Sequence, residues 1–367
     1  MTTVHDWQRA ELSFVPPEQY VEAIGRLRQA GARHFLLRPN DPTLAALLNE
    51  RFGPTIGLFL EPPRDVPIDV TVMPPLEPGR LAAEMLSYLD RPCRLLVPQS
   101  ERFIGNQALF TVTIPKAGTH LLFHLLDEFG IAPGGPFRGQ LAPRTYFFLA
   151  HEHSHLPAED FFAALANEPH GGIHHPFFSH PAVFIYRNPM DIVVSEAFYY
   201  TQREKTAVAY YFEDMTIAER CLRLIVDDPL LRSIRKRAIG YAPWLRLKNV
   251  IPLSYEELVG ERGGGSTVEQ MRSIWSLQLK LHIPGKPASI GARMYTEQSA
   301  TFRKGRIHGH KEYFGERHYQ EFRALPQDFM REYGYEVDDD FGEGYVPRFV
   351  ETFRRRPLRL EPSMGHG

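Results

Sequence analysis

Cysteine is nearly absent: Cys93 and Cys221 are the only two among 367 residues, they lie far apart, and they form no CxxC pair. A disulfide scaffold is excluded, neither thiol sits in a nucleophile motif, and structural thiols in a reducing compartment fit best. Long apolar runs are also missing, since stretches such as Tyr146 to Ala150 and Val183 to Tyr186 fall far short of the ~18 residues a membrane span requires. No surplus of one charge exists either. Lys+Arg 42 against Asp+Glu 44 leaves a formal charge of −2, so no global basic field draws the chain to nucleic acid or an acidic membrane, and any anion site must be built locally. Met1 to Trp7 carries His and Asp where an export signal is basic and then apolar, which predicts a cytoplasmic protein. Repeats and low-complexity segments are lacking. What is present is material for a core, because 43% hydrophobic and 12% aromatic residues exclude wholesale disorder. At ~150 residues per domain the length allows one large domain with an appendage, or two domains.

Residues 1–100 read as an additional N-terminal α/β segment. Tyr20, Ile24 and Leu27 recur at helical spacing between Glu18 and Ala30, and Leu44, Leu47, Leu48 and Phe52 repeat that spacing after Asp41-Pro42. Strand-like runs occupy His34 to Leu37, Ile56 to Leu60, Val70 to Met73 and Arg94 to Val97, with no recognisable chemical motif among them. From Gln107 the signal sharpens. Ala108 to Ile114 is an apolar, β-branched strand that runs into Pro115-Lys116-Ala117-Gly118-Thr119-His120 and then an amphipathic helix, Leu121 to Phe129, closed by Gly130. Ala182 to Tyr186 leads through Arg187-Asn188-Pro189 into a helix carrying Asp191 and Ser195, and Val250 to Ser254 leads into Tyr255-Glu256-Glu257. Strands followed by helices predict an α/β domain over 101–345, with a P-loop-like central parallel β-sheet flanked by helices and a C-terminal tail at 346–367. Ligands of such sheets sit at the carboxyl ends of the strands.

A strand, a short loop holding Lys116 and Gly118, and a helix opening on Thr119 form an anion cradle, in which loop amides and the helix N-terminus face the anion and lysine adds a point charge. Standing alone, it would read chiefly as a strand-to-helix turn with a solvated lysine. It lacks the first glycine and the Gly-Lys-Ser/Thr order of a Walker A loop, which counts against nucleoside triphosphate hydrolysis. His151-Glu152-His153-Ser154-His155 formally satisfies H-E-x-x-H, but zinc ligation by that motif needs a continuing helix. A β-like aromatic run, Tyr146 to Leu149, precedes it and Pro157 follows, so no metal site is expected. His170, His174, His175 and His180 have no clean ligand spacing and read as solvent-facing or acceptor-pocket histidines.

Three motifs stand in order: Pro115-Lys116-Ala117-Gly118-Thr119, then Arg187-Asn188-Pro189-x-Asp191 with Ser195 eight residues after Arg187, then Phe302-Arg303-Lys304-Gly305. Together, over roughly Gln107 to Phe314, the sequence resembles the cytosolic-type sulfotransferases that use 3′-phosphoadenosine 5′-phosphosulfate (PAPS), whose patterns are PKSGT, RNPKD with a serine, and RKGxxGDWK. The resemblance implies transfer of a sulfuryl group from PAPS, as co-substrate and without a metal, to a hydroxyl or amine of a small-molecule or saccharide acceptor. It implies that Lys116, Ala117, Gly118, Thr119 and His120 hold the 5′ phosphosulfate, that Arg187, Ser195, Arg303, Lys304 and Gly305 hold the 3′ phosphate, and that Tyr255 contacts adenine. The family segment KTHLP falls on His153-Ser154-His155-Leu156-Pro157, making His155 the general base and Lys116 its catalytic partner on the leaving group, with His153 in place of the family lysine.

Departures are specific. Leu121 replaces the tryptophan that stacks on adenine, His308-Gly309-His310 replaces Gly-Asp-Trp while Lys311 and Phe314 keep their places, and the family dimerisation element beginning at Lys311 is not matched, leaving the oligomeric state open. Two alternatives stand beside this reading. One is a P-loop phosphotransferase, against which Ala117 counts by following Lys116 directly; the other is a non-catalytic nucleotide-binding module, which need not keep His155 beside the cradle.

Overall fold

Two parallel five-stranded sheets organise the chain in a computed structural model that describes residues 3–99, 109–133, 150–167, 175–204, 206–226, 231–294 and 305–337. Each sheet belongs to its own unit. The first unit comprises Met1–Asn106 and Ser266–Met294, and the second Gln107–Gly265 and Tyr295–Gly367.

In the first unit, β1 (Glu11–Val15), β2 (His34–Leu37), β3 (Gly57–Phe59), β4 (Val70–Val72) and β5 (Arg94–Pro98) pair in the order β1-β5-β4-β2-β3. Helices Tyr20–Gln29 and Pro42–Phe52 supply Ile24 and Leu48 to a core with Phe35, Leu37 and Val72. The second of these helices starts where Asp41 Oδ1 accepts from the Leu44 amide at 2.9 Å, with proline in its first turn. The sequence reading placed 266–294 within a domain spanning 101–345, whereas this stretch packs in the first unit. The Thr267–Leu281 helix donates from Trp275 Nε1 to the Tyr88 carbonyl at 2.9 Å and pairs Arg272 with Asp90, and Gly285 forms an antiparallel bridge with Leu12. Such partners are distant in sequence, and no local pattern reports them.

The second unit orders β6 (Leu109–Thr113), β7 (Ala132–Pro133), β8 (Ala150–Ser154), β9 (Ala182–Tyr186) and β10 (Val250–Ser254) as β10-β9-β6-β8-β7, every pair parallel. β6, β9 and β10 are buried at every residue, as expected for a parallel sheet covered on both faces. The fold is therefore α/β with a central parallel sheet flanked by helices. From β6 the chain moves to β7 and β8 on one side, and from β9 it moves to β10 on the other. Adjacent strands with opposite exits open a crevice at their carboxyl ends, and this one lies between Thr113 and Tyr186. The H-E-x-x-H segment lies on β8, an extended strand, so the helical face that zinc ligation requires is not formed. The Tyr146 to Leu149 run and the 346–367 tail lie outside the described residues.

Beneath this sheet an aromatic core anchors the stretch after β8. Trp244 lies 5.2 Å from Phe161 and 5.1 Å from Phe177, centroid to centroid, and its Nε1 donates to the Leu156 carbonyl at 3.2 Å. Tyr241 donates its hydroxyl to the neighbouring carbonyl of His155. These two bonds hold consecutive carbonyls of the His155–Leu156 backbone against the core. Replacing Trp244 with alanine is expected to cost about 3–5 kcal/mol, the range for emptying a fully buried aromatic site, and Trp244→Phe less because the ring packing persists. Urea unfolding followed by circular dichroism reads the difference; an unchanged midpoint in Trp244→Ala would remove this packing role.

Candidate active site

The loop after β6 departs from ordinary backbone geometry at two residues. Lys116 has φ +67 and Gly118 φ +111, both in the left-handed region, which glycine tolerates and lysine enters only under constraint from its surroundings. Gly118 has a second reason to be glycine, since a Cβ there would meet Tyr255 Cδ2 at 2.5 Å. The Thr119–Glu128 helix then begins with no side-chain cap, at the terminus where the partial positive charge of the helix dipole gathers. Lys116 Nζ sits 4.0 Å from the centroid of the Tyr199 ring, a cation–π contact. Nearby Glu196 is buried and accepts from Arg237 at 2.6 Å; burial pushes its carboxyl up, and the charges of Arg237 and Lys116 draw it back.

His155 reaches this loop from the end of β8. Its Nδ1 lies 2.9 Å from both the carbonyl oxygen and the hydroxyl oxygen of Thr113, the last residue of β6. A carbonyl only accepts, so Nδ1 carries the proton and the lone pair belongs to Nε2. Burial lowers the pKa of the ring, the bond to the Thr113 carbonyl raises it, and the Lys116 charge lowers it further, with a net downward shift. His155 is thus held as a neutral base at physiological pH.

At the end of β9, Arg187 is 8% exposed and gripped on several sides. Its Nη2 donates to the Arg306 carbonyl at 2.7 Å and to Asp191 Oδ2 at 3.3 Å, and its guanidinium lies 4.2 Å from the centroid of the Tyr255 ring. Its Nε is buried and meets no acceptor among the described residues. A buried cationic donor without an acceptor is costly unless a ligand supplies one. Asp191 Oδ1 in turn accepts from the backbone amide and Nδ1 of His310, both at 2.9 Å. Burial alone would raise the Asp191 carboxyl; the Arg187 charge and the His310 bonds outweigh it and hold it down at about 2. Glu256 titrates the opposite way. It accepts from the Asn188 amide at 2.9 Å and the Tyr335 hydroxyl at 2.7 Å, yet burial, against the pull of Arg187, pushes it up to about 7.

Two groups of the expected residues therefore come together, and the Tyr255 ring lies between them, against Gly118 on one side and Arg187 on the other. Ala117 is buried in the turn, Thr119 is half-buried, and His120 is exposed. Ser195 is half-buried on the Pro189–Tyr199 helix, one turn past Asp191. Gly305 follows the same path as Arg306, its carbonyl close against Gly263, with the Ile307 amide donating to the Gly263 carbonyl at 2.9 Å. Arg303, Lys304, His170 and His174 lie outside the described residues, as does the side chain of His153. His175 and His180 pack beside the aromatic core: His175 Nδ1 accepts from the Phe177 amide at 3.1 Å, and the half-buried His180 ring lies 6.4 Å from that of Phe110. Leu121 is buried on its helix. Sequence reasoning missed Thr113, Tyr199, Glu196 and Tyr335, none of which sits in a motif.

No family model matches the sequence, and no curated protein matches it. Among solved structures, the chain is similar to mouse sulfotransferase SULT7A1 complexed with PAP, at 18% identity over 61% of this chain and 84% of that one, with a TM-score of 0.43. It is also similar to retinol dehydratase in complex with androsterone and inactive cofactor PAP, at 12% identity over 64% of this chain and 82% of that one, with a TM-score of 0.35.

The opposed carboxyls around Arg187 set a pH dependence of stability. A carboxyl whose folded pKa is raised binds its proton more tightly in the folded state, so Glu256 makes stability fall as pH rises from the unfolded value of 4.5 through about 7. Asp191 works the other way, contributing stability above its unfolded 3.8 that is lost as pH falls towards about 2. Glu256→Gln keeps an acceptor for the Asn188 amide and is expected to flatten the decline between pH 5 and 7. Thermal unfolding across that range checks it, and an unaltered slope would assign the decline elsewhere.

Proposed function

We propose that the chain is a PAPS-dependent sulfotransferase, with PAPS as co-substrate and a small molecule or saccharide as acceptor. The observation that carries this reading is the placement, at the carboxyl ends of the adjacent strands β6 and β9, of an uncapped helix N-terminus with Lys116 and of a buried arginine with an unsatisfied Nε. Two separated cationic sites suit a nucleotide that bears anionic groups at both its 5′ and 3′ ends, and the orphaned Arg187 Nε fits an acceptor oxygen of the 3′ phosphate. PAPS supplies a sulfuryl group on a phosphate leaving group. Lys116 and the first amides of the Thr119–Glu128 helix offset charge on that phosphate, with Thr119 adding its hydroxyl. Arg187 with Ser195, Gly305 and, by the sequence resemblance, Arg303 and Lys304 hold the 3′ end, and Tyr255 packs beside them.

The acceptor O–H or N–H gives its proton to His155 Nε2 as its heteroatom bonds to sulfur, and the sulfur–oxygen bond to the 5′ phosphate breaks, releasing 3′-phosphoadenosine 5′-phosphate (PAP). A neutral histidine within the field of the Lys116 loop speaks for a catalyst over a binding module, and Ala117 after Lys116 speaks against a magnesium-dependent phosphotransferase. Incubation with sulfur-labelled PAPS and a panel of phenols, alcohols, amines and saccharides tests the activity directly; no labelled product together with no PAP binding would refute it.

The two ends of the nucleotide should separate on mutation. Arg187→Ala is expected to weaken PAP in calorimetry by an amount in the range of ~1.5–3 kcal/mol, the worth of a charge-assisted hydrogen bond, while adenosine 5′-phosphate loses much less. Equal losses for both would dissolve the assignment of Arg187 to the 3′ phosphate.

His155→Ala should leave PAP affinity nearly unchanged and reduce turnover by ~10² to 10⁴, the contribution of a positioned general base. Because the shift at His155 is downward in the nucleotide-free protein, its base form persists below pH 6.5, and the acid limb of the kcat/KM profile for PAPS, which reports the free enzyme, belongs below that value. An acid limb above 6.5, or turnover near the parent rate in His155→Ala, would reassign the base.

A further inference from the structure

Thr113 precedes the cradle and belongs to no motif, yet its two oxygens touch both halves of the proposed chemistry. Its side chain is fully buried at the end of β6. The carbonyl oxygen fixes the His155 Nδ1 proton, and the hydroxyl oxygen lies 2.9 Å from that same nitrogen and 2.8 Å from Thr119 Oγ1. With Nδ1 committed as a donor, the Thr113 hydroxyl can only accept from the ring. Either oxygen can donate across the contact between Thr113 and Thr119. When Thr113 gives its proton to Thr119, the Thr119 proton is left for a group in the cradle, and the chain runs from imidazole to Thr113, Thr113 to Thr119 and Thr119 to the cradle.

We propose that Thr113 is a positioning residue that couples the occupancy of the anion cradle to the basicity of His155, an inference that rests on the donor-binding reading above. An anion accepting from Thr119 makes its oxygen richer and a better acceptor for Thr113, which in turn becomes a better acceptor for Nδ1–H. Hydrogen bonds in such a chain strengthen one another in a low-dielectric interior. A ring that donates more strongly from Nδ1 holds its Nε2 lone pair more basic, so the base is strengthened when the cradle is filled. Lys116, on the loop after β6, is a charged group acting on His155, with its ammonium against the Tyr199 ring and near Glu196. Lys116 alone lowers the basicity of the ring, whereas the threonine chain supplies the opposing effect only when an anion is present.

The test is a pH titration of the His155 ring nitrogens by ¹⁵N NMR on the full chain, with and without PAP, in the parent, Thr113→Val and Thr113→Ser. PAP is expected to raise the His155 pKa by about half a pH unit or more in the parent and in Thr113→Ser, which keeps the hydroxyl, a shift well within those seen at functional sites. In Thr113→Val, which keeps the carbonyl and the shape, PAP affinity stays within about threefold while at least half of that shift is lost; the remainder is the direct field of the nucleotide. Thr113→Ala carries the same expectation should valine not be tolerated in the strand. The same shift in all variants would overturn the coupling and leave the donor site standing, whereas absence of PAP binding to the parent would remove the donor site and this link together. A hydroxyl that serves stability alone would move the unfolding midpoint without moving the nucleotide-induced shift.

Discussion

The parallel pairing of β6 with β9, with the chain leaving each in opposite directions, is the constraint on which the site depends. Thr113 pairs with Ile185, so the loop carrying Lys116 and the turn carrying Arg187 emerge side by side from one edge of the sheet. Because both strands are buried along their full length, their register is fixed by packing, and a slip of one residue would turn every core side chain to the other face. The spacing between the two cationic groups is therefore set by the least deformable part of the second unit, and loops contribute only the local details. β8 adds the third component on the other side of β6, delivering His155 to the carbonyl of that same Thr113.

The interior of the site is built from stacked planar groups more than from ion pairs. Tyr255 lies beneath the Arg187 guanidinium and against Gly118, and Tyr199 lies beneath the Lys116 ammonium. A ring face holds a cation without neutralising it. Asp191, the carboxylate that does contact Arg187, is occupied on its other oxygen by His310, and Glu256 is kept from ionising at lower pH by its burial. Lys116 and Arg187 thus bring two cationic groups to the carboxyl ends of β6 and β9 in a chain whose formal charge is −2.

Much of this was legible in the sequence, for identifiable reasons. β9 and β10 have the bounds their apolar, β-branched runs predict, and the β6 strand and the helix after it fall within a residue or two of expectation. β1 was missed because Glu11–Val15 opens on a charge and runs into Pro16-Pro17, leaving little alternation to read. The membership of 266–294 in the first unit was invisible, since Trp275–Tyr88 and Gly285–Leu12 are contacts between remote stretches. In the site, Lys116 and Arg187 announce themselves through motifs. Thr113 does not, because a threonine in a strand is what β-propensity alone would choose, and its second use appears only once His155 is brought to it. The same holds for Tyr199 and Tyr335, ordinary core aromatics in sequence whose partners come from other elements.

The left-handed backbone at Lys116 has an evolutionary implication. That conformation costs a side-chain-bearing residue on the order of 1–2 kcal/mol and costs glycine almost nothing. At this position the backbone therefore favours glycine, while the anion site proposed above calls for an ammonium group. Variation filtered for thermal resistance alone would drift toward glycine here, and persistence of lysine across descendants of this chain would record selection on what the crevice binds, separable from selection on folding.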